Sequence, residues 1–461
     1  MSCNPARWLE AAARRHPDAW ALDGAGGRLC YAELDALADR MAAGLAHRWR
    51  SGEVVPMRLR ERWQTALVLH GVTRLGAVPF PIDADLPERQ TASLLEQSGA
   101  SDCIADGDAR PAASGATMPA DMSPRPAEAV QLLVATSGSG GMPKGVMLTG
   151  VNLCAAVEAS ASRLTLEPGG RWLNALPLHH IGGLAILYRC LAAGAEAVLH
   201  EGFDAGRVWE ALQTQGITHI SLVPAMLARL LEAAEGVPPP TTLRHVLIGG
   251  AALDPWLAER ARGWPLCVSY GMSETGSQLA TDCEPLAGRQ KGRVGHPLPG
   301  FEVRITGGCV EVRGPAVMAG YVNPELTPGE GLRDGWFITP DLGEMDTSGA
   351  LRITGRADRM LVSGGENVDP GLVEGILEQC PGVEQAGVTA VDDPVWGDRL
   401  VAFIAGTASS NVLRNWCREH LPSSHRPRGF VAVPRLPRSA LGKLQRARLR
   451  AWAERWLADS E

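Results

Sequence analysis

Val134-Ala-Thr-Ser-Gly-Ser-Gly-Gly-Met-Pro-Lys-Gly-Val-Met147 is the stretch on which the reading of the fold turns. The apolar run before it, Val130 to Val134, predicts a buried strand. That strand empties into a loop with two hydroxyls (Ser137, Ser139), three glycines (Gly138, Gly140, Gly141) and one cation, Lys144. Glycines let a backbone bring its N–H groups close to a ligand. Successive N–H groups in such a loop make an anion-binding concavity that hydroxyls and a lysine complete. The stretch reads as a polyphosphate cradle. Two other phosphate loops do not fit. A P-loop needs Gly-Lys followed by Ser or Thr, and Gly145 follows Lys144. A dinucleotide fingerprint needs glycine where Pro143 stands.

Outward from the loop, the bulk properties narrow the class. At 461 residues the chain exceeds one hydrophobic core, so at least two domains are expected. With 45% hydrophobic and 21% charged residues, and no apolar run of membrane-span length, it reads as a soluble enzyme. A net charge of -7 argues against a general nucleic-acid binder. The ten cysteines show no CxxC and no paired spacing, which favours a reducing compartment and offers no metal framework. The N-terminal residues lack the apolar core of a signal peptide, so a cytoplasmic location is expected.

Along the chain, Leu34, Leu37, Ala38, Met41 and Leu45 recur at helical spacing. Ala66 to Asp83 reads as a helix running into a short strand. Ala105 to Pro126 reads as linker. Asn152 to Leu164 predicts a helix with Thr149 or Asn152 as its N-cap. Strands are expected at Ile217–Pro224, His245–Gly250 and Cys267–Thr275. Alternating helices and apolar strands imply an α/β domain with a largely parallel sheet. Ligands of such sheets sit at the carboxyl ends of the strands. There the sequence sets Gly249, Gly250 and Ala251, then Tyr270-Gly-Met-Ser-Glu274. Tyr270 offers a face for a base, Ser273 a hydroxyl for phosphate, and Glu274 a hard oxygen for Mg²⁺.

Leu176-Pro-Leu-His-His-Ile-Gly-Gly-Leu184 places two histidines together, without the further ligands a metal would need. Arg189 stands inside an apolar helix-like run. A lone arginine there ordinarily snorkels outward; the other reading is a partner for a substrate carboxylate. Late in the chain come Asp341, Leu351-Arg-Ile-Thr-Gly-Arg356, Ser363-Gly-Gly-Glu-Asn367 and Pro437-Arg-Ser-Ala-Leu-Gly-Lys-Leu-Gln-Arg446. Arg414 to Arg455 holds eleven Arg or Lys against two Glu, a solvated basic face or a surface for phosphate groups.

Taken together and in this order, these motifs resemble the adenylate-forming superfamily of acyl-CoA synthetases, adenylation domains and luciferases. Its loop usually reads Thr-Ser-Gly-Thr-Thr-Gly-x-Pro-Lys-Gly; here Ser139 and Gly140 replace the two later threonines. The resemblance implies a large N-terminal α/β domain (1–357), with β-sheets flanked by helices, and a small mobile α+β C-terminal domain (358–461). It implies ATP or AMP binding by Thr136, Ser137, Gly138, Ser139, Lys144, Gly249, Gly250, Ala251, Tyr270, Gly271, Ser273, Asp341 and Arg356. Asp341 would hold the ribose hydroxyls, with Arg356 as its companion.

Glu274 would carry Mg²⁺, Lys443 would be the catalytic lysine, and His180 would line the path between acyl group and CoA. His179 stands where an aromatic is usual and would shape the acyl site with Arg189. Asp358 would be the hinge, and Gly364 and Gly365 the thiolation face. The implied chemistry is acyl-adenylate formation from an acid and MgATP, then thiolysis by CoA. The stretches Ile217–Ala225, Tyr270–Gln278 and Ser363–Asn367 look like the branch acting on 2-succinylbenzoate in menaquinone biosynthesis. Another aryl or medium-chain acid is the alternative, and a non-catalytic nucleotide binder is the rival of a different class. Small-molecule partners are expected, without nucleic acid or membrane insertion; a homodimer is compatible with the resemblance.

Overall fold

The computed structural model describes residues 4–113, 125–136, 143–284, 292–357, 361–363, 366–393, 397–422, 425–439 and 442–458. The chain divides into two compact units. The first holds residues 1–304, 311–339 and 345–352; the second holds 305–310, 340–344 and 353–461.

An eight-stranded sheet runs through the first unit. Its order is Ala280–Asp282, Leu266–Tyr270, His245–Ile248, His219–Leu222, Arg171–Asn174, Glu196–Leu199, Trp20–Gly24, Gly27–Cys30. The six inner strands are parallel and both edge pairs are antiparallel. Parallel strands need crossovers, and helices such as Ile181–Ala193 and Pro224–Ala233 supply them. The predicted N-terminal helix spans Tyr31–Leu45 and buries Leu34, Ala38, Met41 and Leu45 on one stripe. Each of the Leu and Met side chains contributes about 1.5–3 kcal/mol relative to exposure. The Tyr31 hydroxyl, fully buried, lies within hydrogen-bond reach of the carbonyls of Cys190 and Ala195.

The opening stretch is a β-hairpin. Val130–Thr136 pairs antiparallel with Lys144–Thr149, and Thr136 opposite Lys144 is the last pair. Gly320–Tyr321 adds a third strand beside Val146 and Met147. Because side chains alternate, Leu132 and Val134 enter the main core while Leu133 enters a second one with Phe80 and Met147, which Val130 joins across a break in the register between Val130 and Leu132. That explains a continuous apolar run. Thr149 then caps the helix Gly150–Ala161: the Asn152 N–H donates to Thr149 Oγ1, and the Thr149 N–H donates to Asn152 Oδ1.

The second unit carries a five-stranded sheet ordered Glu366–Val368, Leu361–Ser363, Gly397–Gly406, Val383–Asp393, with Gly429–Ala432 parallel to Gly397–Gly406. Its cores gather Val373, Leu377, Val388 and Leu413 in one cluster, and Val401, Phe403 and Leu449 in another. The strand Cys309–Arg313 is buried at Val310, Glu311 and Val312, Glu311 being paired with Arg304. Among the described residues no helix is long and apolar enough to cross a membrane.

Candidate active site

Of the loop residues, Thr136 and Lys144 frame the hairpin, and the Thr136 hydroxyl donates to the Lys144 carbonyl at 3.3 Å. Ser137, Gly138, Ser139, Gly140 and Gly141 lie outside the described residues, as do Asp358, Gly364 and Gly365. The Lys144 ammonium sits 4.8 Å from the centre of the Tyr321 ring. The Tyr321 hydroxyl in turn donates to Glu274 Oε1 at 3.2 Å. Burial and then the Glu274 carboxylate hold the Tyr321 pKa well above its ordinary value, so the phenol stays a donor. Sheet pairing produces this chain of cation, ring and carboxylate, since Tyr321 faces Val146 two residues from Lys144.

Tyr321 is a site neighbour that the sequence reading passed over. The signal was there, because it is one of only four tyrosines and follows a glycine. Glu274 is anchored by its backbone, its carbonyl accepting the Met318 N–H at 2.8 Å.

Tyr270 ends its strand opposite Ala280. Gly271 follows because nothing larger fits: a Cβ there would meet the Ser277 carbonyl oxygen at 1.7 Å. Ser273–Thr275 forms one 3₁₀ turn, closed by Gly276 in the left-handed region. Ser277 has φ 126°, rare for a side-chain-bearing residue. Gly249 N–H donates to Leu222 O at 3.1 Å, and Gly250 has φ 77° where its strand turns away, with Ala251 exposed beyond it. Gly249–Ala251 and Tyr270–Glu274 thus leave the carboxyl ends of adjacent parallel strands.

His179 and His180 touch edge to face, with ring centres 4.4 Å apart. His179 Nε2 is 3.8 Å from Asp83 Oδ2. Burial lowers the His179 pKa and outweighs the opposing pull of Asp83. His180 is the N-cap residue of the helix Ile181–Ala193.

Arg189 does not snorkel. It is 5% exposed, with one terminal nitrogen donating to Ser277 Oγ at 3.1 Å and the guanidinium 5.3 Å from the Trp172 ring centre. Its Nε is buried without a hydrogen-bond partner. Desolvation lowers its pKa to about 10. Leu153, Val157, Ile181, Ala185 and Gly276 line the cavity it faces.

In the second unit, Asp341 is 7% exposed on the strand Trp336–Met345, and its Oδ1 is 3.6 Å from Arg356 Nη1 on the neighbouring strand. Lys443 leaves a tight turn: its carbonyl accepts the Ser439 N–H at 2.8 Å, and its own N–H donates to Ser439 Oγ at 3.2 Å. Three residues on, Arg446 grips Glu374 through two nitrogens at 2.8 and 2.7 Å.

The cysteine reading needs correction. Cys267 and Cys283 are paired as a disulfide, and His245 lies beside them, so two of the cysteines do come together with a third potential ligand. Strand pairing, which residue spacing does not reveal, brings them together.

The family model for the AMP-binding enzyme matches residues 9–322, and that for the AMP-binding enzyme C-terminal domain matches residues 372–443. A 2-succinylbenzoate–CoA ligase of Bacillus subtilis is 33% identical, over 96% of this chain and 97% of its own length. One from Bacillus velezensis is 34% identical, with 96% and 97% covered. Among solved structures, o-succinylbenzoate CoA synthetase from Bacillus subtilis with the acyl-adenylate intermediate OSB-AMP superposes with a TM-score of 0.88 at 32% identity. The alignment covers 96% of this chain and 97% of that one. With matches to both domain models and relatives aligned over almost their full length, the chain belongs to the AMP-binding, adenylate-forming enzyme family.

Proposed function

We propose that this protein is an ATP-dependent acid–CoA ligase that converts 2-succinylbenzoate, through its acyl-adenylate, to 2-succinylbenzoyl-CoA in menaquinone biosynthesis. The observation that carries the choice of acid is Arg189. A buried guanidinium at the wall of an apolar cavity, with no carboxylate paired to it among the described residues, matches a substrate whose second carboxylate enters the protein. Guanidinium is the cation of choice there because its fork binds both carboxylate oxygens and it stays charged when desolvated.

In the first half-reaction the acid's reacting carboxylate attacks the α-phosphorus of ATP, and the bond to diphosphate breaks. Two anions must approach each other, so positive charge aimed at the developing charge is the main catalytic need. Lys443 supplies it in our reading, joining the carboxylate and α-phosphate. Glu274 is the residue we assign to Mg²⁺, which when bound neutralises phosphate charge. The Tyr321 hydroxyl fits that role, because it steadies Glu274 without neutralising it.

Thr136, Lys144 and the intervening loop cradle phosphate, Tyr270 faces the base, Gly249–Ala251 line the nucleotide, and Asp341 with Arg356 holds the ribose. In the second half-reaction the CoA thiol attacks the acyl carbonyl and AMP leaves. We assign His180 to that approach path, Asp358 to the hinge of a mobile C-terminal domain, and Gly364 and Gly365 to its thiolation face. A cytoplasmic monomer or homodimer is compatible with this reading.

The test is diphosphate release with MgATP and CoA across 2-succinylbenzoate, benzoate, salicylate, 4-hydroxybenzoate, octanoate and acetate. Turnover confined to 2-succinylbenzoate is expected. Preference for a monocarboxylate would keep the ligase and discard the acid. Silence across the panel with ATP still bound would favour a nucleotide-binding role without turnover.

A further inference from the structure

We infer that His245, Cys267 and Cys283 form a site for a thiophilic divalent cation of the zinc class, available when both cysteines are thiols. One donor atom from each residue lies within 4.8 Å of the other two. His245 Nδ1 is 3.5 Å from Cys267 Sγ. A tetrahedral ion with bonds of about 2.0–2.1 Å to nitrogen and about 2.3 Å to sulfur would set those atoms about 3.5 Å apart. The two lengths agree without movement of either residue.

The sheet itself builds this arrangement. His245 opens one parallel strand, and Cys267 lies opposite Leu247 on the next, so their side chains emerge on the same face. Cys283 follows directly on the edge strand, where Asp282 pairs with Val268, leaving the two cysteine Cα atoms 4.1 Å apart. Donors fixed by a sheet are held more precisely than donors on loops. The His219 ring, its centre 5.1 Å from that of His245, packs on the row's inner side. Burial is graded across the trio: Cys267 is buried, His245 half-buried and Cys283 exposed. That gives an ion an entry route and leaves a fourth position for water.

Metal and disulfide exclude each other, because the bond consumes both sulfur ligands. Reduction by a dithiol transfers two electrons and two protons to the pair and leaves the dithiol as a cyclic disulfide. The cation then displaces the two thiol protons. In a reducing compartment the thiol form prevails, and a Cys/His cluster there is more often a metal site than a bridge. The site lies at the amino end of the strand whose other end carries Tyr270, so its role is to fasten that strand to its neighbours.

The experiment uses the full, tag-free chain, reduced with dithiothreitol and desalted without oxygen, then titrated with Co²⁺ and back-titrated with Zn²⁺. One equivalent with a thiolate-to-cobalt absorption band is expected. Cys283→Ser and His245→Ala should each weaken binding at least tenfold. Both variants are checked for folding by thermal melting and by ATP-induced stabilisation. Reoxidation with diamide, which takes up the two electrons and two protons, should abolish the band. Binding by reduced wild type no tighter than by folded Cys283→Ser, or a cobalt spectrum without a thiolate band, would overturn the site.

Discussion

Arg189 is a cation held in the core, and the ligand-binding role proposed for it has a thermodynamic signature. Removing a charge from water costs several kcal/mol unless a partner repays it. Here Ser277 and the Trp172 ring repay part, and Nε has no hydrogen-bond partner among the described residues. Arg189→Met, of similar length and apolar, should therefore raise the stability of the ligand-free protein by about 1–3 kcal/mol. It should also raise KM for the dicarboxylate at least tenfold with KM for ATP unchanged, the mark of binding lost toward one substrate. Paired thermal melts with and without 2-succinylbenzoate check both halves. A variant that is destabilised and still stabilised by the acid would mean that Arg189 serves packing alone. Lys443 has the opposite character, an exposed side chain on a turn held by Ser439. Lys443→Ala should abolish diphosphate release yet leave thioester formation from supplied acyl-adenylate within about threefold of wild type, since charge is needed only where it develops. Equal loss of both half-reactions would remove the assigned role.

At the scale of elements, turns and their anchors decide whether those side chains arrive. The turn bearing Lys443 runs into the helix Arg446–Ala458, and Arg446 ties its start to Glu374 and to the Val388 carbonyl. Arg446→Ala leaves Glu374, which is largely buried, without its cation. A loss of about 3 kcal/mol or more is expected in the second unit, because breaking a buried pair strands a charge. Glu374→Gln in the same background should recover part of it. A double-mutant cycle by urea unfolding measures the coupling, and a coupling below about 0.5 kcal/mol would class the pair with ordinary surface bridges.

Much of this level was legible in the sequence. The strand before the loop, the Thr149 cap and the helix carrying Arg189 all follow from local period and punctuation, whereas the strand read through to Thr275 stops at Tyr270. What escaped notice depended on pairing between distant segments. Tyr321 meets Lys144 only because residues 320–321 join the hairpin as a strand. Ser277 meets Arg189 across 88 residues, and Cys283 meets Cys267 across a strand pair. Burial is likewise a property of the assembled core, which is why an arginine in an apolar run could be read as snorkelling until its surroundings were known.

At the scale of the whole molecule, the first unit carries histidines that must be neutral to stay folded. Burial, reinforced by Arg74, lowers the His70 pKa from 6.5 to about 4. Burial and the neighbouring His245 lower that of His219 to about 3. Both folded values lie below the unfolded one, so between pH 6.5 and those values the unfolded chain binds more protons than the folded one. Stability is then fully present above pH 6.5 and falls as the pH drops, levelling off only once the folded state is itself protonated. For His70 the loss amounts to roughly 3 kcal/mol by pH 4, as 1.36 kcal/mol attends each pK unit. Carboxylates act in a lower window: Asp346, held down chiefly by Ser348 and the Ala350 N–H, loses its contribution only below its ordinary pKa near 3.8. Urea unfolding of the full chain between pH 7.5 and 5.5, above the range in which carboxylates protonate, therefore isolates the histidines. His70→Gln, an amide that never charges, should flatten the slope of stability against pH over that interval while costing some stability at pH 7.5. An unchanged slope in the variant would show that His70 is solvated, or already charged, in the folded protein.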